Sequence, residues 1–247
     1  MEEWLEGEVV KNIKWTNNLA SLKIKAKINN HQAGQFTRIG LKVNDDFITR
    51  SYSYASAPKD EMLEIIYVNI PNGKLSPILH KLEIGDKVSV MQQAIGYFTL
   101  DEIPDGENLW MLATGTALGV FLAILKTSIP WKRFKKVILI HSVRYAEELI
   151  YQDLIAEMKQ RYPDQFIYRN SVTRSKVKGS FNFRIPEGLS SKKFQESTHI
   201  EINEDSQFMI CGNPEMIKET TEVLKSFGLN KNRRAKPGNI TVERYWV

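Results

Sequence analysis

Apolar and polar residues alternate, imperfectly, along the first hundred positions. Between Gly7 and Ile28 the apolar positions Val9, Ile13, Trp15, Leu19, Leu22 and Ile24 outline two strands, with Asn17-Asn18 at the turn. Gln32 to Phe36 opens a third strand through Leu41 and Val43, and Asn44-Asp45-Asp46 turns it into a fourth, Phe47 to Ala55. Leu63 to Ile70, rich in Ile, Tyr and Val, reads as a fifth. Ser76 followed by Pro77 predicts a helix start, with Ser as the cap and Pro at the first helical position, and the helix running to about Leu82. Gly85-Asp86 leads into a strand from Lys87 to Val90, and Gly96-Tyr97-Phe98 closes the series. Short strands with frequent turns and one short helix predict a small antiparallel barrel or sandwich.

From Asp101 the pattern changes. Asp101 to Asn108 is polar, contains Pro104 and Gly106, and reads as a linker. Strands then alternate with helices. The strands are Leu109 to Ala113, Lys136 to Ser142, Phe166 to Val172, Phe208 to Cys211 and Ile240 to Trp246. The helices are Leu118 to Lys126, Ala146 to Arg161, a short one between Pro186 and Phe194, and Pro214 to Phe227. Such alternation implies parallel strands with crossover helices. The expected architecture is therefore two domains, an antiparallel β-barrel over 1–100 and a parallel-sheet α/β domain over 101–247.

Composition narrows the class. Of 247 residues 42% are apolar and 26% charged, which suits a folded globular chain. The net charge of +5 is mixed in sign along the sequence, unlike the dense basic surface of a nucleic-acid binder. The densest basic run, Lys231 to Lys236, is short; it reads equally as a solvated turn or as a docking patch for an acidic partner. A single cysteine, Cys211, excludes an internal disulfide and any cysteine cluster, and the four histidines lie far apart, so no metal site is expected. The uncharged stretch Leu109 to Leu125 approaches the length of a membrane span, but Thr114-Gly115-Thr116 interrupts it. Met1-Glu2-Glu3-Trp4 carries no secretory pattern, and a cytoplasmic monomer is expected.

The candidate chemistry sits at strand ends and turns. Arg50-Ser51-Tyr52-Ser53 places a cation and an aromatic ring on one strand face and two hydroxyls on the other. A ring beside a guanidinium suits a flat, phosphorylated ligand, although these four residues alone fit a solvated strand face better. The helix start at Ser76, with Gly73 ahead of it, offers amides and a dipole to an anion, or is a plain helix start. Thr114-Gly115-Thr116-Ala117-Leu118-Gly119 joins strand to helix through small residues, as a pyrophosphate turn or as tight packing requires. Val143-Arg144 ends the second α/β strand, where an NAD-specific site would place an acid; a basic residue there favours a 2′-phosphate. Thr173-Arg174 and Arg184 add two further arginines that could converge on it. Cys211-Gly212-Asn213-Pro214 ends a strand and starts a helix, with Cys211 either inert in the core or beside a redox centre. Tyr245 and Trp246 could anchor the tail or cover a flat ligand.

Taken together, Arg50-Ser51-Tyr52-Ser53, Gly73-Lys74-Leu75-Ser76, Leu112-Ala113-Thr114-Gly115-Thr116, Cys211-Gly212-Asn213-Pro214 and the terminal Tyr245-Trp246 resemble the ferredoxin–NADP reductase family, most closely its bacterial flavodoxin/ferredoxin branch. The resemblance covers essentially the whole chain. It implies an FAD-binding barrel and an NADP-binding α/β domain. Arg50 and Ser51 would lie on the FAD side, Arg50 at the phosphates. Tyr52 would stack on the isoalloxazine, and Ser53 would approach N5. Tyr67, Val68 and Asn69 would line the flavin largely by backbone, and Lys74, Leu75 and Ser76 would hold the pyrophosphate. Thr116 would lie between flavin and nicotinamide, with Cys211 nearby. Val143, Arg144, Thr173, Arg174, Arg184, Gly212, Asn213 and Pro214 would bind NADP(H), and Tyr245 and Trp246 would cover the FAD.

The implied reaction is electron transfer between NADP(H) and ferredoxin or flavodoxin, by hydride transfer to the flavin followed by single-electron steps. A free-flavin or oxygenase-component reductase of the same superfamily, and a regulatory flavoprotein without turnover, are the alternatives. Two departures from the family pattern are Val120, where Pro is usual, and Val247, one residue beyond Trp246.

Overall fold

The computed structural model describes residues 3–245. They form two compact units: one runs to Thr99 and takes in Gly119–Thr127, the other joins Leu100–Leu118 to the chain from Ser128 onward. A boundary drawn at 100/101 follows chain order and leaves residues 119–127 in the second half.

In the first unit, strands β1 (Trp4–Lys14), β2 (Leu19–Lys25), β3 (Phe36–Val43), β4 (Asp46–Ser53), β5 (Leu63–Val68) and β6 (Lys87–Met91) build one sheet, with helix α1 (Ser76–Lys81) between β5 and β6. The sheet order is β4-β3-β6-β1-β2-β5, and every ladder is antiparallel. The two outer strands meet at a single bridge, Tyr54 to Ile65, which curls the sheet into the expected barrel. Leu22, Ile24, Ile39, Ile65, Leu79 and Val90 fill its core.

Helix α2 (Leu118–Leu125) is apolar on every side, and all residues from Val120 to Leu125 are buried. Gly119 permits its close seating: an added Cβ would lie 3.2 Å from Ile66 Cδ1 and 3.3 Å from the Ala55 Cβ. Just beyond the helix, Lys126 Nζ donates to the Ala55 carbonyl at 3.1 Å and to Asp60 at 3.3 Å. This burial explains the long uncharged stretch, and no described helix is long and apolar enough to cross a membrane. Val120 lies within a regular helix and is fully buried.

The second unit contains β7 (Asn108–Thr114), α3 (Ile129–Arg133), β8 (Lys136–Val143), α4 (Gln152–Arg161), β9 (Phe166–Val172), α5 (Ile185–Ser190), α6 (Lys193–Thr198), β10 (Ser206–Gly212), α7 (Pro214–Ser226) and β11 (Ile240–Arg244). Its sheet, ordered β11-β10-β7-β8-β9, is parallel throughout. The chain leaves β7 toward β8 on one side and later returns to β10 on the other. The β7/β10 boundary is therefore a topological switch point, where ligands of open α/β sheets bind.

Several elements differ from the pattern read in the sequence. The stretch 146–161 is not one helix. A 3₁₀ turn (Ala146–Glu148) precedes α4, and Tyr151 at their junction has φ 58°, which no helix accommodates. The short helix expected near 186–194 is two helices, α5 and α6. The segment 101–108, read as a linker, is tied to the second unit: Arg133 donates to the Leu100 carbonyl at 2.5 Å and to the Ile103 carbonyl at 2.8 Å. The last strand ends at Arg244; Trp246 and Val247 lie outside the described residues.

Candidate nucleotide sites

The barrel seam makes the first site. Strand β4 pairs with β3 over its whole length but has no hydrogen-bonded strand on its other side. Tyr54 opposite Ile65 fixes the register, and carrying that register backward sets Tyr52 opposite Tyr67 and Arg50 opposite Asn69. No ladder joins these pairs, so backbone hydrogen bonds do not close the seam there. Its lips carry the residues singled out in the sequence: Arg50, Ser51, Tyr52 and Ser53 on one side, Tyr67, Val68 and Asn69 on the other.

Exposure along β4 does not follow a clean two-residue period. Arg50 and Ser51 are exposed, whereas Tyr52 and Ser53 are half-buried, as befits a strand at an open edge. Tyr52 packs against the barrel core, and burial pushes its hydroxyl up to about 12, against the pull of the Arg50 cation. The Arg50 guanidinium makes one bond, from Nη1 to the Thr49 carbonyl at 2.7 Å, and no ion pair among the described residues. Tyr67 is buried: its hydroxyl donates to Asn12 Oδ1 at 3.0 Å, and Asn12 in turn donates to the Leu79 and Leu82 carbonyls at the end of α1. Its ring is therefore part of the barrel core, leaving only its backbone for a ligand.

The loop before α1 departs from the sequence reading. Ser76 is the first helical residue rather than the cap, and its Oγ accepts the Ile70 amide at 3.0 Å. Gly73 N–H donates to the Ile70 carbonyl at 2.8 Å, and a Cβ on Gly73 would lie 3.0 Å from both that carbonyl and Ser76 Oγ. The hydroxyl thus folds the loop instead of capping the helix. Lys74 is exposed, and Leu75 is buried in the barrel core.

The second site lies at the carboxyl ends of the parallel strands. Thr114, Gly115 and Thr116 leave β7, and Gly212 to Pro214 leave β10 beside them. Gly212 has φ 136°, and a Cβ there would lie 2.0 Å from Thr114 Oγ1. That hydroxyl oxygen accepts the Asn213 amide at 3.1 Å. Asn213 Oδ1 accepts the amides of Glu215 and Met216 at 2.9 and 3.2 Å, so it caps α7 and is committed there. Pro214 is the first residue of that helix.

His141, on β8, was not anticipated. It is fully buried, with Nε2 3.1 Å from the Gly115 carbonyl. A carbonyl only accepts, so Nε2 carries the proton. Burial holds the imidazole down to about 4, and its Nδ1 is enclosed with no partner, so the ring stays neutral and props the turn after β7.

Cys211 is also buried, one strand from Glu243, with Sγ 4.0 Å from Glu243 Oε2. Burial first, and then the Glu243 carboxylate, push the thiol well above its ordinary range, while a hydrogen bond with Tyr245 pulls the other way. The Tyr245 amide is tied to the Gly212 carbonyl at 3.0 Å. Glu243 on β11 and Tyr245, just past the strand's end, both bear on the thiol.

At the ends of β8 and β9, Val143 O accepts both the Thr173 amide (3.0 Å) and the Thr173 hydroxyl (3.1 Å). One residue on, Arg174 N–H donates to the Arg144 carbonyl at 2.9 Å, and the Arg174 guanidinium lies 6.0 Å from the centre of the exposed Tyr145 ring. Arg184 does not join them. Its guanidinium pairs with Glu219 at 3.2 Å and Glu215 at 3.8 Å, both on α7. Arg144 and Arg174 are thus linked through their backbones with Tyr145 beside them, while Arg184 is held toward α7.

Residues 6–98 match the family model for an oxidoreductase FAD-binding domain, and residues 111–222 that for an oxidoreductase NAD-binding domain. The flavodoxin/ferredoxin–NADP reductase of Shigella flexneri is 41% identical over 248 residues, covering all of both chains. The chain belongs to the flavodoxin/ferredoxin–NADP reductase family. A ferredoxin–NADP reductase of Azotobacter vinelandii is 34% identical over 94% of each chain. The crystal structure of a ferredoxin NADP+ reductase from Neisseria gonorrhoeae with bound FAD and NADP superposes with a TM-score of 0.92 at 33% identity, over 99% of each chain. Among the described residues no group of three or more His, Cys, Asp or Glu is placed to hold a metal ion.

Proposed function

We propose that this member of the reductase family uses FAD to pass electrons between NADP(H) and a ferredoxin or flavodoxin. The residues of the barrel seam suit FAD. Asn69 Oδ1 is buried and takes no hydrogen bond from the protein, Gly73 leaves no room for a side chain, and the Arg50 guanidinium is available to phosphate. Tyr52 offers a half-buried ring face for the isoalloxazine, and Ser53 stands next to it on the same lip. The amides of Lys74, Leu75 and Ser76 would meet the pyrophosphate, in a loop shaped by the Ser76 hydroxyl. Bound FAD supplies the redox chemistry, exchanging two electrons with nicotinamide and one at a time with the carrier.

In the second unit, Thr116, Gly212 and the cluster of Cys211, Glu243 and Tyr245 would hold the nicotinamide end. The buried thiol and half-buried aromatic ring limit water there. Tyr245, with Trp246 beyond it, would cover the flavin. The Arg144–Arg174 pair is the observation that carries NADP over NAD: two cations are linked through their backbones at the strand ends where the ribose is read. Both sites are built from one chain, which suits a monomer, and the single buried cysteine suits the reducing cytoplasm.

The test is steady-state NADPH oxidation by the purified yellow protein with a panel of ferredoxins, flavodoxins and free flavins. Turnover with the protein carriers, falling as salt rises, is expected from a chain of net charge +5 meeting acidic partners. A colourless protein that takes up no FAD, equal use of NADH and NADPH, or reduction of free flavin alone would each refute the reading.

A further inference from the structure

Beyond the ends of β8 and β9 a single carboxylate organises the backbone beneath both arginines. Glu148 Oε2 accepts the amide of Arg144 at 2.8 Å and that of Tyr145 at 3.1 Å. The Glu148 amide donates back to the Tyr145 carbonyl at 3.1 Å, closing the turn. Arg144 is thus bound at both of its backbone groups, by Glu148 at the amide and by Arg174 at the carbonyl. Two successive amides aimed at one point form a nest that attracts an anion. Here the protein supplies that anion itself.

We propose that Glu148 is a positioning residue for recognition of the 2′-phosphate. By filling the amide nest it fixes the backbone from which Arg144 and Arg174 reach the ligand, and it leaves the phosphate to their guanidinium groups. The proposal rests on the reading of those two arginines as the phosphate pair. It has a counterintuitive side: an acid placed beside an anion site should repel the ligand. Arg144 and Tyr145 are exposed and Glu148 is half-buried, so solvent and salt screen that repulsion. The two charge-assisted hydrogen bonds are local and depend on geometry, so their loss should outweigh it.

The two effects predict opposite signs, which makes them separable. The readout is binding of 2′,5′-ADP and of 5′-ADP to the FAD-loaded full-length protein by titration calorimetry, expressed as the ratio of the two affinities. Glu148→Gln keeps an acceptor oxygen without the charge, and its ratio should stay within about three-fold of the unmodified protein. Glu148→Ala removes both, and its ratio should fall at least about ten-fold, the scale of a single hydrogen bond to a charged group. A ratio that rises in both variants would mean that Glu148 acts only by repulsion and would overturn the proposal, as would an unchanged ratio in Glu148→Ala. Should that variant fold poorly, Glu148→Asp, one methylene short of both amides, gives the same readout and should lower the ratio; no change there overturns the proposal equally. Arg174→Ala, measured alongside, tests the underlying reading. An unchanged ratio in Arg174→Ala removes the phosphate assignment itself. A ratio that falls with Arg174→Ala but not with Glu148→Ala removes only the role of Glu148.

Discussion

Arg174 gives its amide hydrogen to the carbonyl of Arg144, 2.9 Å away, so two cations share one backbone link at the ends of neighbouring strands. The link fixes the two backbone positions from which the side chains extend, so an incoming phosphate would meet a guanidinium from each strand end. Replacing Arg174 by Ala should lower kcat/KM for NADPH by about 10- to 100-fold while changing that for NADH by less than about three-fold. Arg184→Ala should do much less, because that guanidinium is already paired with Glu215 and Glu219. Steady-state kinetics with both nucleotides decides it, and equal effects of the two substitutions would refute the assignment.

Ser76 concerns the other nucleotide. Its hydroxyl accepts the Ile70 amide, and Ser76→Ala leaves that amide without an acceptor. The loop from Ile70 to Ser76 should loosen and FAD should bind roughly ten-fold more weakly, in line with one lost hydrogen bond. Recovery of flavin fluorescence on dilution measures this directly. Retention equal to that of the unmodified protein would show that the loop does not depend on the hydroxyl.

His141 predicts a pH dependence. Its ordinary value near 6.5 falls to about 4 in the folded protein because burial penalises the cation. The unfolded chain therefore binds the extra proton first. This contribution to stability is complete above pH 6.5, is lost as pH falls toward 4, and amounts to roughly 3 kcal/mol. His141→Gln can still donate to the Gly115 carbonyl but does not titrate. Urea unfolding across this range should show the variant losing less stability than the unmodified protein; identical slopes would remove the role given to the histidine.

Gly212 cannot carry a side chain. With φ 136° and Thr114 Oγ1 2.0 Å from where a Cβ would sit, Gly212→Ala should destabilise the protein by about 1–3 kcal/mol. Much of the collision is with one hydroxyl, so Thr114→Ala in the same chain should restore part of the loss. Additive losses in a double-mutant cycle would contradict the geometry.

The sequence made the barrel and the parallel sheet legible because both rest on local periodicity and turn chemistry. Arg50 to Ser53 could be singled out because a cation and a ring share one strand face, and Arg144 with Arg174 because cations at strand ends are conspicuous. What escaped depends on side chains meeting across strands. His141 is one of four histidines far apart in sequence, yet parallel pairing puts it directly beside Ala113 and under the turn at Gly115. Glu148 falls within the helix expected over Ala146 to Arg161, whereas the structure puts it in a closed turn with Tyr145. Ser76 carried the signature of a cap, but a nearby unpaired amide, Ile70, took its oxygen instead. Arg184 shares its chemistry with Arg144, and only the approach of α7 distinguishes them.

Helix α2 has a consequence for how the chain becomes a protein. It is encoded after β7, within the stretch that otherwise builds the second unit, yet Gly119–Thr127 completes the first. During synthesis the barrel must wait, with the side chains of Ile66 and Phe98 lacking their partners Gly119 and Phe121, until those later residues leave the ribosome. The same dependence means that a gene cut after residue 100 would encode an unfinished barrel with an apolar scar, whereas a circular permutant that keeps 119–127 with the barrel would not.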